Sequence, residues 1–102
     1  MSTMNNSVML IGRSDRNVYE SDGKVEFNLL VTEKIQDSKT REWKSSTQSV
    51  RCVCCNKILV SKMDGRVQRE KRIAIDGRLI VDKDSKCEIA IQDFFLIDKP
   101  EN

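Results

Sequence analysis

The chain has 102 residues, enough to close one hydrophobic core but not two, and a single domain is predicted over residues 1–102 with an ordered core of about 6–98. Hydrophobic residues make up 38% and charged residues 33% of the sequence, a balance that excludes a disordered chain and favours a globular protein. No apolar run approaches the roughly 18 residues that a membrane helix needs, so we expect a cytoplasmic protein with no membrane partner.

The N-terminal half predicts two strands joined by a turn. Residues 8–11 form a short apolar run that Gly12 and Arg13 close. Asp22 and Gly23 mark a hairpin turn of the Asp-Gly type. Residues 24–33 then alternate apolar and polar side chains, which is the period-two pattern of a half-buried strand.

A polar and basic segment, residues 34–48, interrupts this alternation. It places four cations around a single aromatic side chain, Trp43, and these cations are Lys34, Lys39, Arg41 and Lys44. The composition predicts a long hairpin loop. Loops of this length in compact domains are usually functional or mobile.

The C-terminal half predicts one helix between strands. Residues 49–55 are β-branched and rich in cysteine, and Asn56 can cap a helix that runs to Met63. A fourth strand covers residues 72–81, with a bulge or bend at Gly77, and a last strand runs from Cys87 to about Ile97. This order predicts an all-β fold, the five-stranded Greek-key OB-fold barrel with one helix between strands 3 and 4.

The net charge of +2 conceals an uneven distribution along the chain. Residues 48–83 carry nine basic and four acidic side chains, whereas residues 84–102 carry two basic and five acidic ones. A basic stretch in a nearly neutral protein indicates a local patch for a polyanion. An ordinary solvated face explains the same counts, and charge alone favours that explanation.

The four cysteines are interpreted as reduced thiols. Cys52, Cys54 and Cys55 crowd one segment and Cys87 stands alone, unlike the spread spacing of a secreted disulfide framework. A zinc site of four cysteines is the alternative, but CxCC lacks the loop that turns two thiolates toward one metal, and the chain has no histidine. We therefore expect neither a metal nor a cofactor.

The sequence also lacks the residue combinations of an enzyme. Without histidine, the Ser-His-Asp, Cys-His and HExxH arrangements are all excluded. No phosphate-binding GxxxxGK[ST] or GxGxxG loop occurs. Carboxylates such as Asp76, Asp82 and Asp84 are more often solvated than catalytic at strand ends. The protein is therefore predicted not to be an enzyme.

Three segments together resemble the bacterial-type single-stranded DNA-binding protein family. NNSVMLIGR at residues 5–13 looks like that family's opening strand, and FNLLVTE at residues 27–33 is similar to its second strand. RIAIDGRLIV at residues 72–81 looks like the family's segment of apolar residues, an acid, Gly, Arg or Gln, and Leu. The resemblance covers about residues 5–97 and implies an OB fold that binds single-stranded DNA in replication, recombination and repair. The length of the chain is also similar to that of a tailless relative of this family, the primosomal replication protein PriB.

The resemblance further implies bases stacked on aromatic side chains in a basic groove. Three of the family's aromatic positions fall near Ile35, Val50 and Cys55, so that only Trp43 and Tyr19 remain as stacking candidates. Binding is then expected to be weak, salt-dependent and tolerant of sequence, because charge replaces stacking. The candidate nucleic-acid-binding residues are Arg13, Lys34, Ile35, Lys39, Arg41, Trp43, Lys44, Val50, Arg51 and Arg78.

Other interpretations remain open at this point. The resemblance implies a homodimer or homotetramer whose first strand pairs across subunits, and possible replication-protein partners. A barrel that has lost its stacking residues fits a protein-binding adaptor in replication or secretion instead. An RNA-binding OB domain is a third reading, because no base-edge code separates the two polymers.

Overall fold

A closed five-stranded barrel carries a single short helix in the computed structural model, which describes residues 6–97. The elements are β1 (Val8–Ser14), β2 (Val25–Gln36), β3 (Trp43–Cys54), α1 (Lys57–Met63), β4 (Arg72–Val81) and β5 (Cys87–Leu96). The strand order around the barrel is β1-β2-β3-β5-β4, with β3 and β5 parallel and the other neighbours antiparallel. This confirms the predicted OB fold. Residues 1–5 and 98–102 of the predicted domain lie outside the described range.

The core follows from the alternation of β2 and its neighbours. Val25, Phe27 and Leu29 are buried, whereas the residues between them are only half-buried, which confirms the predicted period-two strand. α1 adds Val60 and Met63 to the same core. Asn56 caps this helix as predicted, and its side chain accepts hydrogen bonds from the amides of Ile58 and Leu59 at 3.0 and 3.2 Å.

The predicted loop over residues 34–48 was wrong. β2 and β3 pair without interruption from Val25 opposite Cys54 to Gln36 opposite Trp43, and only residues 37–42 turn the chain. Asp37 organises this turn, since its side chain accepts from the amide of Lys39 at 2.8 Å and its carbonyl from that of Arg41 at 2.8 Å. Residues 31–36 and 43–48 therefore form a two-stranded ribbon, most of whose side chains are exposed.

Two glycines permit close approach between strands. The bulge predicted at Gly77 is confirmed, because the β4–β5 register shifts between Asp76 and Gly77. A Cβ at Gly77 would clash with the carbonyl of Ala90, and a Cβ at Gly12 would clash with the carbonyl of Leu30. A backbone oxygen cannot move aside as a flexible side chain can, so both sites require glycine.

Asp15 fastens the start of the β1–β2 connection to β2. Its carboxylate accepts hydrogen bonds from the amide of Asn28 at 2.9 Å, from the Asn28 side chain at 3.2 Å, and from Arg16 at 2.9 and 3.0 Å. The Arg16 hydrogen bond is the main cause that lowers the pKa of Asp15 to about 2, with Asn28 adding to it and partial burial opposing it.

We expect the protonation of Asp15 to lower the stability of the protein at acidic pH. A carboxyl group whose pKa is lower in the folded state stabilises that state fully at pH values above its unfolded pKa, here near 3.8. This stabilisation is lost as the pH falls through the folded-state pKa of about 2. Asp15→Asn should therefore lower the free energy of unfolding by roughly 1–2 kcal/mol at pH 7 and by progressively less below pH 4. Urea denaturation of both proteins across this range measures the difference.

Asp22→Asn is the matched control, because it removes an exposed carboxylate from the same connection. A destabilisation by Asp15→Asn that is the same at pH 7 and at pH 2 would contradict the assignment to ionisation.

Candidate nucleic-acid interface

The ribbon presents its side chains on two faces, because neighbouring residues of a strand point to opposite sides. We call the side that continues the barrel exterior the outer ribbon face, and it carries Thr32, Lys34, Gln36, Trp43, Ser45 and Thr47. The hydroxyls of Thr32 and Thr47 lie 3.0 Å apart across the two strands. Ile35 and Lys44, which are paired with each other, lie on the opposite face.

Trp43 is the principal aromatic side chain of the outer ribbon face. It is 65% exposed, and with Lys34, Lys44 and Ser45 it lines a shallow hollow of about 450 Å³. A flat aromatic ring beside ammonium groups suits a nucleotide, since the base can stack on the ring while the phosphate meets a cation. The two lysines approach this hollow from the two faces of the ribbon.

Most of the predicted cations are available to an anion. Within residues 6–97, no carboxylate forms an ion pair with any of Arg13, Lys34, Lys39, Arg41, Lys44 or Arg78. Lys39 and Arg41 lie in the turn at the ribbon tip, close in sequence to Trp43. The other two cations lie away from the ribbon. Arg13 is the register partner of Arg72 where β1 meets β4, and Arg78 is the register partner of Ala90 where β4 meets β5. The structure thus groups four of the six cations on the ribbon and its turn.

Arg51 differs from the other predicted cations because two carboxylates hold it. Its guanidinium donates to Glu26 and, at 3.3 Å, to Glu88. Lys24 also lies 2.7 Å from Glu26, and these four residues form what we call the carboxylate network. The hydrogen bond from Lys24, and then that from Arg51, lowers the pKa of Glu26. Arg51 is therefore on the exterior but not free.

The three positions at which the resemblance implies aromatic side chains do not form one surface. Ile35 is exposed on the face opposite Trp43. Val50 is paired with Leu29 and packs against the core, while Cys55 is exposed just beyond β3. Tyr19 is exposed in the β1–β2 connection, where it borders the carboxylate network. Trp43 is thus the aromatic side chain that shares a hollow with the ribbon lysines.

The cysteines divide between the core and the surface. Cys52 and Cys54 are buried, Cys55 and Cys87 are exposed, and all four are free thiols. Burial raises the pKa of Cys52 to about 12, so its thiol stays protonated. In the described part of the chain, no three histidine, cysteine or acidic side chains come together as metal ligands. Nor does that part contain a helix long and apolar enough to cross a membrane.

Sequence reasoning missed the carboxylate network. Lys24 immediately precedes β2 and is two residues from Glu26, but Arg51 and Glu88 are 37 positions apart in the sequence. They meet because β3 and β5 run parallel, with Cys52 opposite Ile89. Parallel pairing between distant strands leaves no local signal in the sequence, so the loss of Arg51 as a free cation was not predictable.

Comparison with known proteins finds similarity in structure. No protein-family model and no curated protein sequence matches this chain. A Plasmodium falciparum SSB in complex with ssDNA superposes with a TM-score of 0.80 at 24% identity, over 96% of this chain and 99% of that one. A small single-stranded DNA-binding protein from Streptomyces coelicolor superposes with a TM-score of 0.71 at 19% identity, over 92% and 96% of the two chains. At these identities, the comparisons establish the shared OB fold.

Proposed function

We propose that this protein binds single-stranded DNA along the outer ribbon face, without sequence preference. The observation that carries the proposal is an exposed Trp43 whose hollow is shared by Lys34 and Lys44, two lysines with no ion-pair partner among residues 6–97. The β2–β3 face is also where OB folds bind oligonucleotides. Both similar structures are of proteins named for binding single-stranded DNA, which supports the same ligand here.

Charge carries much of this binding. One stacked base contributes about 1–3 kcal/mol, and the turn and ribbon add Lys34, Lys39, Arg41 and Lys44 for phosphates. Each phosphate contact to a single strand contributes about −0.7 to the slope of log affinity against log salt, so four contacts give a slope near −3. The resulting complex is weak and strongly dependent on salt.

This surface supports a binding role, and we propose that the protein is not an enzyme. Sequence-tolerant, salt-dependent binding suits a protein that coats or transiently holds single strands during replication, recombination or repair in the cytoplasm. The alternative is a primosomal or adaptor protein of the PriB kind, which contacts replication proteins and binds nucleic acid weakly or not at all. The exposed apolar side chains outside the ribbon, such as Met9 and Phe95, are the feature that favours an adaptor.

Fluorescence polarisation with oligo-dT, oligo-U and duplex DNA, each at low and moderate salt, tests the proposal. We expect oligo-dT to bind better than the duplex, with affinity falling steeply as salt rises. If oligo-U binds as tightly as oligo-dT, the protein does not distinguish single-stranded RNA from single-stranded DNA. If no oligonucleotide binds better than micromolar at low salt, the adaptor role replaces the proposed one.

We further propose that the protein associates with itself through the outward side of β1, β4 and β5. At one end of this face, Asp76 of β4 lies beside Asp93 of β5. At the other end, Arg13 of β1 lies beside Arg72 of β4. On the same face, the exposed Ile11 and Phe95 lie in the row between these charges, and the exposed Met9 lies beside Asp76. A two-fold rotation sets the acidic end of one copy against the basic end of the next, as an isologous interface requires.

The free edge of β1 adds to this proposal. Residues 8–12 pair with β4, whereas β1 pairs with β2 only at Arg13 and Ser14, so that one edge of residues 8–12 has no described strand partner. Ile11→Asp should shift a dimer or tetramer to monomer in sedimentation velocity, because it buries a charge in the interface. Ile58→Asp on α1, also an exposed isoleucine, is the control. A wild-type monomer at high concentration would contradict self-association.

A further inference from the structure

The outer ribbon face continues along β3 into the barrel and reaches the carboxylate network. From Trp43 the outward residues of β3 are Ser45, Thr47, Ser49 and then Arg51. At about 3.3 Å per residue, Arg51 lies roughly 26 Å from Trp43 along the strand. A single strand that stacks on Trp43 and follows this face meets small hydroxyl side chains first and Arg51 last.

A phosphate at this position must compete with two carboxylates for Arg51. Glu26 and Glu88 both accept hydrogen bonds from its guanidinium, and Glu26 also holds Lys24 at 2.7 Å. Two cations and two carboxylates leave the network with no net charge. A phosphate that approached Arg51 would have to displace a carboxylate and would be repelled by both of them.

Stability does not account for this arrangement. The four side chains of the network are 30–50% exposed. Exposed ion pairs contribute about 0–1 kcal/mol, so the network adds little to the fold. Its larger consequence is electrostatic, because it lies on the line of the proposed DNA path.

We propose that Glu26 and Glu88 mask Arg51 and Lys24 and so end the DNA path at the barrel end of the ribbon. This inference rests on the proposed function and names the residues that limit its affinity and its site length. Neutralising the two carboxylates frees two cations for phosphates, which extends the bound segment of the strand.

The experiment compares the wild-type protein with the Glu26→Gln/Glu88→Gln variant by fluorescence polarisation on oligo-dT. Two additional phosphate contacts should steepen the slope of log affinity against log salt by about 1.4. The affinity should rise roughly tenfold at low salt on a long oligonucleotide of about 16 nucleotides, and less on one of about 4, which covers only the ribbon.

Two further variants assign the gain. Glu33→Gln/Glu42→Gln removes two carboxylates that form no ion pair within residues 6–97, so it measures the effect of lost negative charge near the bound strand without freeing a cation. Adding Arg51→Gln to the Glu26→Gln/Glu88→Gln variant should remove about half of the increase in slope. Circular dichroism at each step verifies that the barrel is folded.

The outcomes separate the inference from the function on which it rests. Wild-type binding with no gain in the Glu26→Gln/Glu88→Gln variant overturns the masking and leaves the proposed function standing. An equal gain in Glu33→Gln/Glu42→Gln, or a gain unaffected by Arg51→Gln, also overturns the masking. Binding by the Glu26→Gln/Glu88→Gln variant alone supports the masking and overturns the proposed function of the natural chain. No binding by any variant overturns both.

Discussion

Trp43→Ala is expected to weaken the binding of oligo-dT by about tenfold to a hundredfold. This range follows from the loss of one stacked base, which is worth about 1–3 kcal/mol. The effect on affinity should be large because Trp43 is the aromatic side chain of the ribbon hollow, where no neighbouring ring can replace it. The salt slope should stay the same, since the substitution removes no charge.

Trp43 also supplies the measurement, because it is the one tryptophan of the chain. Stacking of a base should quench its fluorescence as oligo-dT is added, and polarisation of a labelled oligonucleotide gives the affinity of the variants. Trp43→Phe should retain most of the affinity, since a phenyl ring still offers a stacking surface. Ile58→Ala, an exposed apolar side chain on α1, should leave the affinity unchanged. Unchanged affinity in Trp43→Ala would limit the ribbon to electrostatic contacts.

Phe27→Ala is expected to lower the free energy of unfolding by about 3–5 kcal/mol. Phe27 is 1% exposed and lies on β2 opposite Cys52, in the centre of the core. Truncation leaves a cavity that the closed barrel cannot fill by collapse, because hydrogen-bonded strands hold its walls apart. Domains of this size have a total of roughly 5–15 kcal/mol, so the loss removes a large part of the stability.

Urea denaturation followed by circular dichroism, at one fixed protein concentration, measures this change. Phe27→Leu keeps most of the volume and should cost less than about 1.5 kcal/mol. Ile58→Ala truncates a solvated side chain and should stay within about 0.5 kcal/mol of the wild type. A loss below 1 kcal/mol in Phe27→Ala would mean that the core repacks around the vacancy.

Strands whose inner side chains face the core could be predicted from the sequence. The alternation over residues 24–33 is produced by the burial of Val25, Phe27 and Leu29, and burial selects the residues at every second position. The cap at Asn56 and the bulge at Gly77 were predicted for a similar reason. Each depends on the conformational preference of a residue within a few positions of its own backbone.

The ribbon could not be predicted in this way. Residues 34–36 and 43–48 are strands with mostly exposed side chains on both faces, so burial imposes no alternation on them. Their backbone groups are satisfied by pairing across the hairpin, and this pairing places no restriction on side-chain polarity. The structure places the predicted cations and Trp43 on paired strands and in a six-residue turn, residues 37–42, instead of in one long loop.

The sequence by itself determined the fold class, the order of the elements and the residues whose chemistry suits a polyanion. Composition, periodicity and capping preference are local properties, and each of them is visible in a short stretch of chain. Only the tertiary structure decided which of those residues lie together. Closing the barrel brings Glu88 on β5 to Arg51 on β3, and it leaves Lys34, Lys44 and Trp43 around one hollow. Ion pairs and shared surfaces depend on distances through space, and strands distant in sequence set those distances when they pair.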